Sequence, residues 1–151
     1  MSDGHSDTSL TQQACGFLVD NINHKEDTEI IKLANGIALC QGNFTLMTDD
    51  LPSVIRHFGE QDKIYFVHFR DVRGTPAKFT EAFHDDGQTD LAAGLRAYRD
   101  VGYDGGCRPD HCPKMGDENF RDDLRLAHLF AVDYFKGLRE AVYSEPLKAE
   151  S

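Results

Sequence analysis

Apolar residues come in short bursts along this chain, and their spacing alternates between continuous runs and helical periodicity. Ile37-Ala38-Leu39-Cys40 is a continuous run between Gly36 and Gly42 and reads as a buried strand. Asp50 is placed to cap a helix running through His57, with Pro52 tolerated in the first turn. Ile64 to Phe69 is rich in β-branched and aromatic residues without alternation, which predicts a strand covered on both faces, as in a parallel sheet. Arg70 to Thr89 is a polar segment punctuated by Gly74, Pro76 and Gly87, and reads as a long loop. Leu91, Leu95 and Tyr98 recur at helical spacing, with Gly102 just past the end. Gly105 to Arg108 makes a minimal strand leading into a loop from Pro109 to Asn119. Leu126, Phe130, Tyr134 and Leu138 form the expected core stripe of a C-terminal helix.

Strands alternating with helices imply βα units and a parallel sheet. The predicted fold class is therefore α/β, a partial (β/α) TIM barrel of about three βα units plus a C-terminal helix. Three units are too few to close an eight-strand barrel, so the chain reads as a part of one. Residues 1–33 have weak periodicity and form a lead-in, and residues 144–151 form a polar tail.

Composition narrows the function classes. The 151 residues include 40% hydrophobic and 28% charged side chains, a globular balance. With 26 acidic against 16 basic residues the formal net charge is −10, a field that repels phosphate backbones and argues against a nucleic-acid partner. No apolar run approaches the roughly 20 residues of a membrane span. Residues 1–8 lack the basic and apolar regions of a secretory signal, so a cytoplasmic location is expected. Cys15, Cys40, Cys107 and Cys112 do not form the tight framework of a small secreted domain, so free thiols or metal ligands are expected.

Candidate chemistry gathers at the C-terminal ends of the predicted strands, the face where barrel loops build active sites. Cys40 follows the first strand, His68 closes the second, and Asp110-His111 follow the third. Thiolate, imidazole and carboxylate together suit a divalent transition metal. Taken singly, each has a plainer reading: Cys40 as a packed hydrophobe, His68 as a hydrogen-bonded core histidine, Asp110-His111 as a polar turn. A structural zinc site built from Cys107, His111 and Cys112 is a further alternative, although a second ligand pair close in sequence is missing.

Several stretches carry a family likeness. ANGIALCQGNF at 34–44, FVHFRDVRG at 66–74, FHDDGQTD at 83–90, AYRDVGYDG at 97–105 and RPDH at 108–111 resemble the mannonate dehydratase family in its own order, and LFAVDYFKGLREAV at 129–142 is similar to its last helix. The likeness covers residues 34–143, the C-terminal half of that family's TIM barrel. It implies a hydro-lyase of hexuronate (glucuronate) catabolism that takes D-mannonate to 2-dehydro-3-deoxy-D-gluconate and water. It implies Cys40, His68 and Asp110 as ligands of Mn²⁺ or Fe²⁺ and His111 as the catalytic histidine. Arg70, His84 and Arg108 are the implied partners of the substrate's carboxylate and hydroxyls, since arginine can hold a carboxylate with two hydrogen bonds. The pattern also departs from the family. A metal-binding histidine in a His-Pro-Asp-type loop has no counterpart here, and Phe120 to Arg125 stands where a catalytic tyrosine is expected. The resemblance thus implies a truncated member, not fully active alone. A non-catalytic metal-binding protein, a homo-oligomer, or one half of a split enzyme with a complementing N-terminal half are the other readings.

Overall fold

The structure, a computed structural model, describes residues 35–114 and 124–146. The lead-in at 1–33, the segment 115–123 that includes most of the region where a tyrosine was expected, and residues 147–151 of the polar tail lie outside the described residues.

Three strands, β1 (Ile37–Cys40), β2 (Ile64–His68) and β5 (Gly106–Arg108), form a parallel sheet in the order β1-β2-β5. Between β1 and β2 come the short helix α1 (Gln41–Thr45) and α2 (Leu51–Gly59). A hairpin, β3 (Asp71–Thr75) and β4 (Lys78–Ala82), and then α3 (Leu91–Asp100) separate β2 from β5, and α4 (Leu124–Ser144) closes the described chain. This is the expected α/β alternation with parallel strands, an open part of a (β/α) barrel.

Local chemistry sets the helix ends. The Asp50 carboxylate accepts the Ser53 N–H at 3.1 Å and its hydroxyl at 2.6 Å, and Asp90 accepts the Ala93 N–H at 2.9 Å, satisfying donors that a first turn leaves orphaned. Helix α3 stops at Gly102, whose φ of +70° lets the Tyr103 N–H return to the Tyr98 carbonyl at 2.9 Å, a turn that side-chain-bearing residues adopt at a cost.

One face of the sheet packs on the helices. Leu39 and Val67 of the sheet meet Leu51, Ile55, Leu91, Leu95 and Tyr98 of α2 and α3 in one buried cluster, each large side chain contributing about 1.5–3 kcal/mol by leaving water. The opposite face carries Ala38, Phe66 and Gly106 in register, and one step on Cys40, His68 and Arg108.

Three expectations change. First, the segment Arg70 to Thr89 is not a plain loop but contains the antiparallel β3–β4 hairpin. Only Asp71, Val72 and Ala82 of the two hairpin strands are buried, so the strands show no apolar alternation to read. Second, β2 is not covered on both faces: Tyr65, at the register shift opposite Ile37 and Ala38, is 50% exposed. Third, the buried stripe of α4 is Ala127, Ala131 and Val142, with Tyr134, Phe135 and Leu138 half-buried beside them, and Leu126 is 52% exposed. Alanines let α4 approach Cys112 closely, while Phe135 packs edge-on against Phe69 with centroids 4.8 Å apart. A reading that follows the largest apolar residues misses a seam built from the smallest. No helix among the described residues is long and apolar enough to cross a membrane.

Gln41 is fully buried at the start of α1, and its side-chain amide has no hydrogen-bond partner among the described residues. An unmet buried amide costs on the order of 1–3 kcal/mol. Gln41→Met, which keeps the length and removes the polar atoms, is expected to raise the melting temperature by a few degrees in a thermal unfolding experiment.

Candidate metal centre

Parallel pairing brings the strand ends to one level. Cys40 pairs in register with His68, and His68 with Arg108, so the residues at or just beyond these positions open onto a common point. The Cys40 Sγ, a ring nitrogen of His68 and a carboxylate oxygen of Asp110 all lie within 4.8 Å of one another, the one such group of three or more metal-capable side chains among the described residues. Their chemistry fits a divalent transition metal, with one soft thiolate, one borderline imidazole and one hard carboxylate.

The surroundings tune this cluster. Burial lowers the His68 pKa; Asp110 pulls it up, and Arg108, Arg70 and His111 push it down again. The net direction favours the neutral imidazole, the form that ligates metals. The Asp110 Oδ2 stands 3.4 Å from His68 Nδ1 and 3.4 Å from His111 Nε2, while its Oδ1 accepts the Arg108 Nη2–H at 2.9 Å. Asp110 is therefore the hub, joined to four charged or titratable neighbours once Arg70 at 3.6 Å is included.

The remaining candidates from the sequence fall into three kinds of place. His111 and Arg108 are 65% and 59% exposed at the rim of the cluster, reachable by a solute. Arg70 is 5% exposed, and its donors are engaged inside the protein. His84 is buried against Phe69 and Tyr134. Its Nε2 lies 2.5 Å from the Phe69 carbonyl, which can only accept, so that nitrogen carries the proton and Nδ1 is left without a partner among the described residues.

Burial depresses the His84 pKa, against the raising effects of the Phe69 carbonyl, Asp71 and Asp85. A histidine held low in the fold takes up its proton more readily when unfolded, so stability falls as pH drops through the ordinary histidine range near 6.5. His68 acts in the same direction. Melting temperature is therefore expected to decline between pH 7 and 5.5, and His84→Leu is expected to make that decline shallower. An unchanged slope would assign the acid sensitivity elsewhere.

Cys107, His111 and Cys112 do not assemble a zinc site. Cys107 lines an apolar cavity of about 360 Å³ with Leu95, Tyr98 and Phe135 on the helix side of the sheet, where burial pushes its thiol up to about 11. Cys112 is buried against Ala127 and Ala131. Cys40, Cys107 and Cys112 are all free thiols.

Sequence reasoning missed Glu81 and Asn43, which hold Arg70, and the function of Asp71, which holds the loop after the hairpin. Glu81 had no local signal, since its strand looks like any polar stretch. The signal for a partner was indirect: an arginine beside an apolar strand needs a buried counter-charge.

Known proteins resemble this chain in sequence and in fold. The family profile described as D-mannonate dehydratase (UxuA) matches residues 19–148. Mannonate dehydratase 2 of Halalkalibacterium halodurans is 37% identical over 115 residues, 73% of this chain and 33% of the relative. The mannonate dehydratase of Enterococcus faecalis is 39% identical over 113 residues, 72% of this chain and 31% of its own length. The crystal structure of mannonate dehydratase from Streptococcus suis serotype 2 superposes with a TM-score of 0.63 at 27% identity, covering 86% of this chain and 42% of that one. The chain thus spans about a third of the length of the curated relatives it matches.

Proposed function

Because the chain belongs to the D-mannonate dehydratase family, we propose that its strand-end cluster is the metal half of a hydro-lyase site that takes D-mannonate to 2-dehydro-3-deoxy-D-gluconate and water in cytoplasmic hexuronate catabolism. The observation that carries this reading is the convergence of Cys40, His68 and Asp110 within 4.8 Å at the C-terminal ends of three neighbouring parallel strands.

Cys40, His68 and Asp110 would hold the cation, Mn²⁺ or Fe²⁺. When bound, it supplies Lewis-acid stabilisation of the negative charge that develops beside a carboxylate as the neighbouring proton leaves. The chain's own residues do the rest. Arg108, exposed at the rim, offers its guanidinium to the substrate carboxylate. His111, exposed at the rim beside Asp110, is the residue to move a proton, accepting one from the carbon beside the carboxylate or delivering one to the departing hydroxyl. Asp110 steadies both through its two oxygens.

The test is 2-keto acid formation from D-mannonate with added Mn²⁺, alongside calorimetric titration of D-mannonate into the metal-loaded chain. Binding and turnover that weaken in Arg108→Ala and His111→Ala respectively support the proposal. Metal binding without any affinity for D-mannonate would instead leave a non-catalytic metal protein.

A further inference from the structure

Arg70 is a buried cation whose hydrogen-bonding donors are fixed by the protein itself. Its Nη1–H donates to both oxygens of Glu81 at 2.7 Å, and its Nη2–H donates to Asn43 Oδ1 at 2.8 Å. The Nε–H donates to Cys40 Sγ at 3.1 Å and stands 3.6 Å from Asp110 Oδ2. The side chain is 5% exposed. Burial alone would disfavour its charge, but the bonds to Cys40 and Glu81 outweigh that and hold its pKa above the ordinary value.

We propose that Arg70 is a positioning residue for the metal centre, clamped by Glu81 and Asn43 so that its Nε–H orients the Cys40 sulfur and Asp110 and most of its donors are committed inside the protein rather than to substrate. The inference rests on the metal-centre reading above and adds a role for the β3–β4 hairpin. Two anionic ligands brought this close repel each other, and a guanidinium seated between them offsets that repulsion. Only a planar fork can meet a carboxylate, an amide oxygen and a sulfur at once; a lysine ammonium on its flexible stem cannot. The hairpin delivers the clamp, because Glu81 sits on β4 opposite Val72, two residues beyond Arg70. Asn43 comes from α1, three residues past Cys40, so both sides of the ligand are tied to one cation. Partners outside the ligand set hold ligands in orientation, and their loss commonly weakens metal binding by about 10–100-fold.

The experiment uses Co²⁺ as the probe, read by the thiolate-to-cobalt charge-transfer absorption and by titration. Cys40→Ser is expected to abolish the absorption. Glu81→Gln, at a side chain 27% exposed and therefore tolerant of change, is expected to keep the absorption but shift it and weaken Co²⁺ binding by about tenfold. Arg70→Lys is expected to weaken binding further; if it fails to fold, Glu81→Gln alone decides. Glu81→Gln with the parent's absorption and Co²⁺ affinity, but a loss of D-mannonate affinity, would return Arg70 to substrate binding and overturn the proposal. A parent chain without thiolate-to-cobalt absorption would overturn the metal-centre reading as well, so the two failures are distinguishable.

Discussion

Replacing Cys40 by serine is expected to lower the affinity for Co²⁺ or Mn²⁺ by about 100-fold or more, the upper end of what even an outer partner costs. The sulfur is one of the three donors that the described residues bring to the cluster, and it is the soft one. Serine keeps the size and the ability to accept the Arg70 hydrogen bond, but its hydroxyl stays protonated at neutral pH and is a poor substitute for a thiolate. The residue is 8% exposed at the end of β1, so serine leaves the helix-side packing in place and the loss reads out ligation. Metal content after gel filtration, together with a direct titration, measures it. A serine variant that retains stoichiometric metal would mean that the cation sits elsewhere.

Asp71→Ala is expected to cost about 2–4 kcal/mol of stability, because breaking one side of a buried charged network strands its partners. The carboxylate is fully buried. Its Oδ1 accepts the Val72 N–H at 2.7 Å and the Thr89 hydroxyl at 2.8 Å, and its Oδ2 accepts the Thr89 N–H at 2.9 Å. The Thr89 and Thr45 hydroxyls meet at 2.7 Å, which ties this loop to α1. Gly87 passes so close that any Cβ there would strike the carboxylate, so Gly87→Ala should reproduce part of the defect from the opposite side. For a chain of this size the loss corresponds to roughly 5–15 °C in melting temperature. Urea unfolding measures the free energy directly, and a change below about 0.5 kcal/mol would show that the network is not holding the loop.

The proposed ligand set was legible from the sequence only in part. Cys40 and His68 end apolar runs whose character as strands is written in their composition, and the helix cap at Asp50 follows from short-range geometry. Likeness to a family supplied the step from three scattered residues to one site. Arg70 shows where such reading stops. In the sequence it is an arginine in a polar segment, equally suited to solvent or substrate, whereas in the fold Glu81 and Asn43 occupy most of its donors. The hairpin that delivers Glu81 was invisible because its strands bury almost nothing, so no alternation of apolar residues marks them. The seam of α4 was misread for the opposite reason, since its contacts are made by alanines that periodicity arguments discount.

By itself the sequence determined the order of the parallel strands and the longer helices, the cap at Asp50 and the residue types available for chemistry, because these depend on interactions spanning a few residues. Only the tertiary structure decided which of those residues share a face: the parallel register sets Cys40 beside His68 and Arg108, and burial decides that Arg70 serves the interior while Arg108 and His111 meet solvent. Both depend on contacts between residues far apart in the chain, whose energies come from packing and desolvation rather than from local preference.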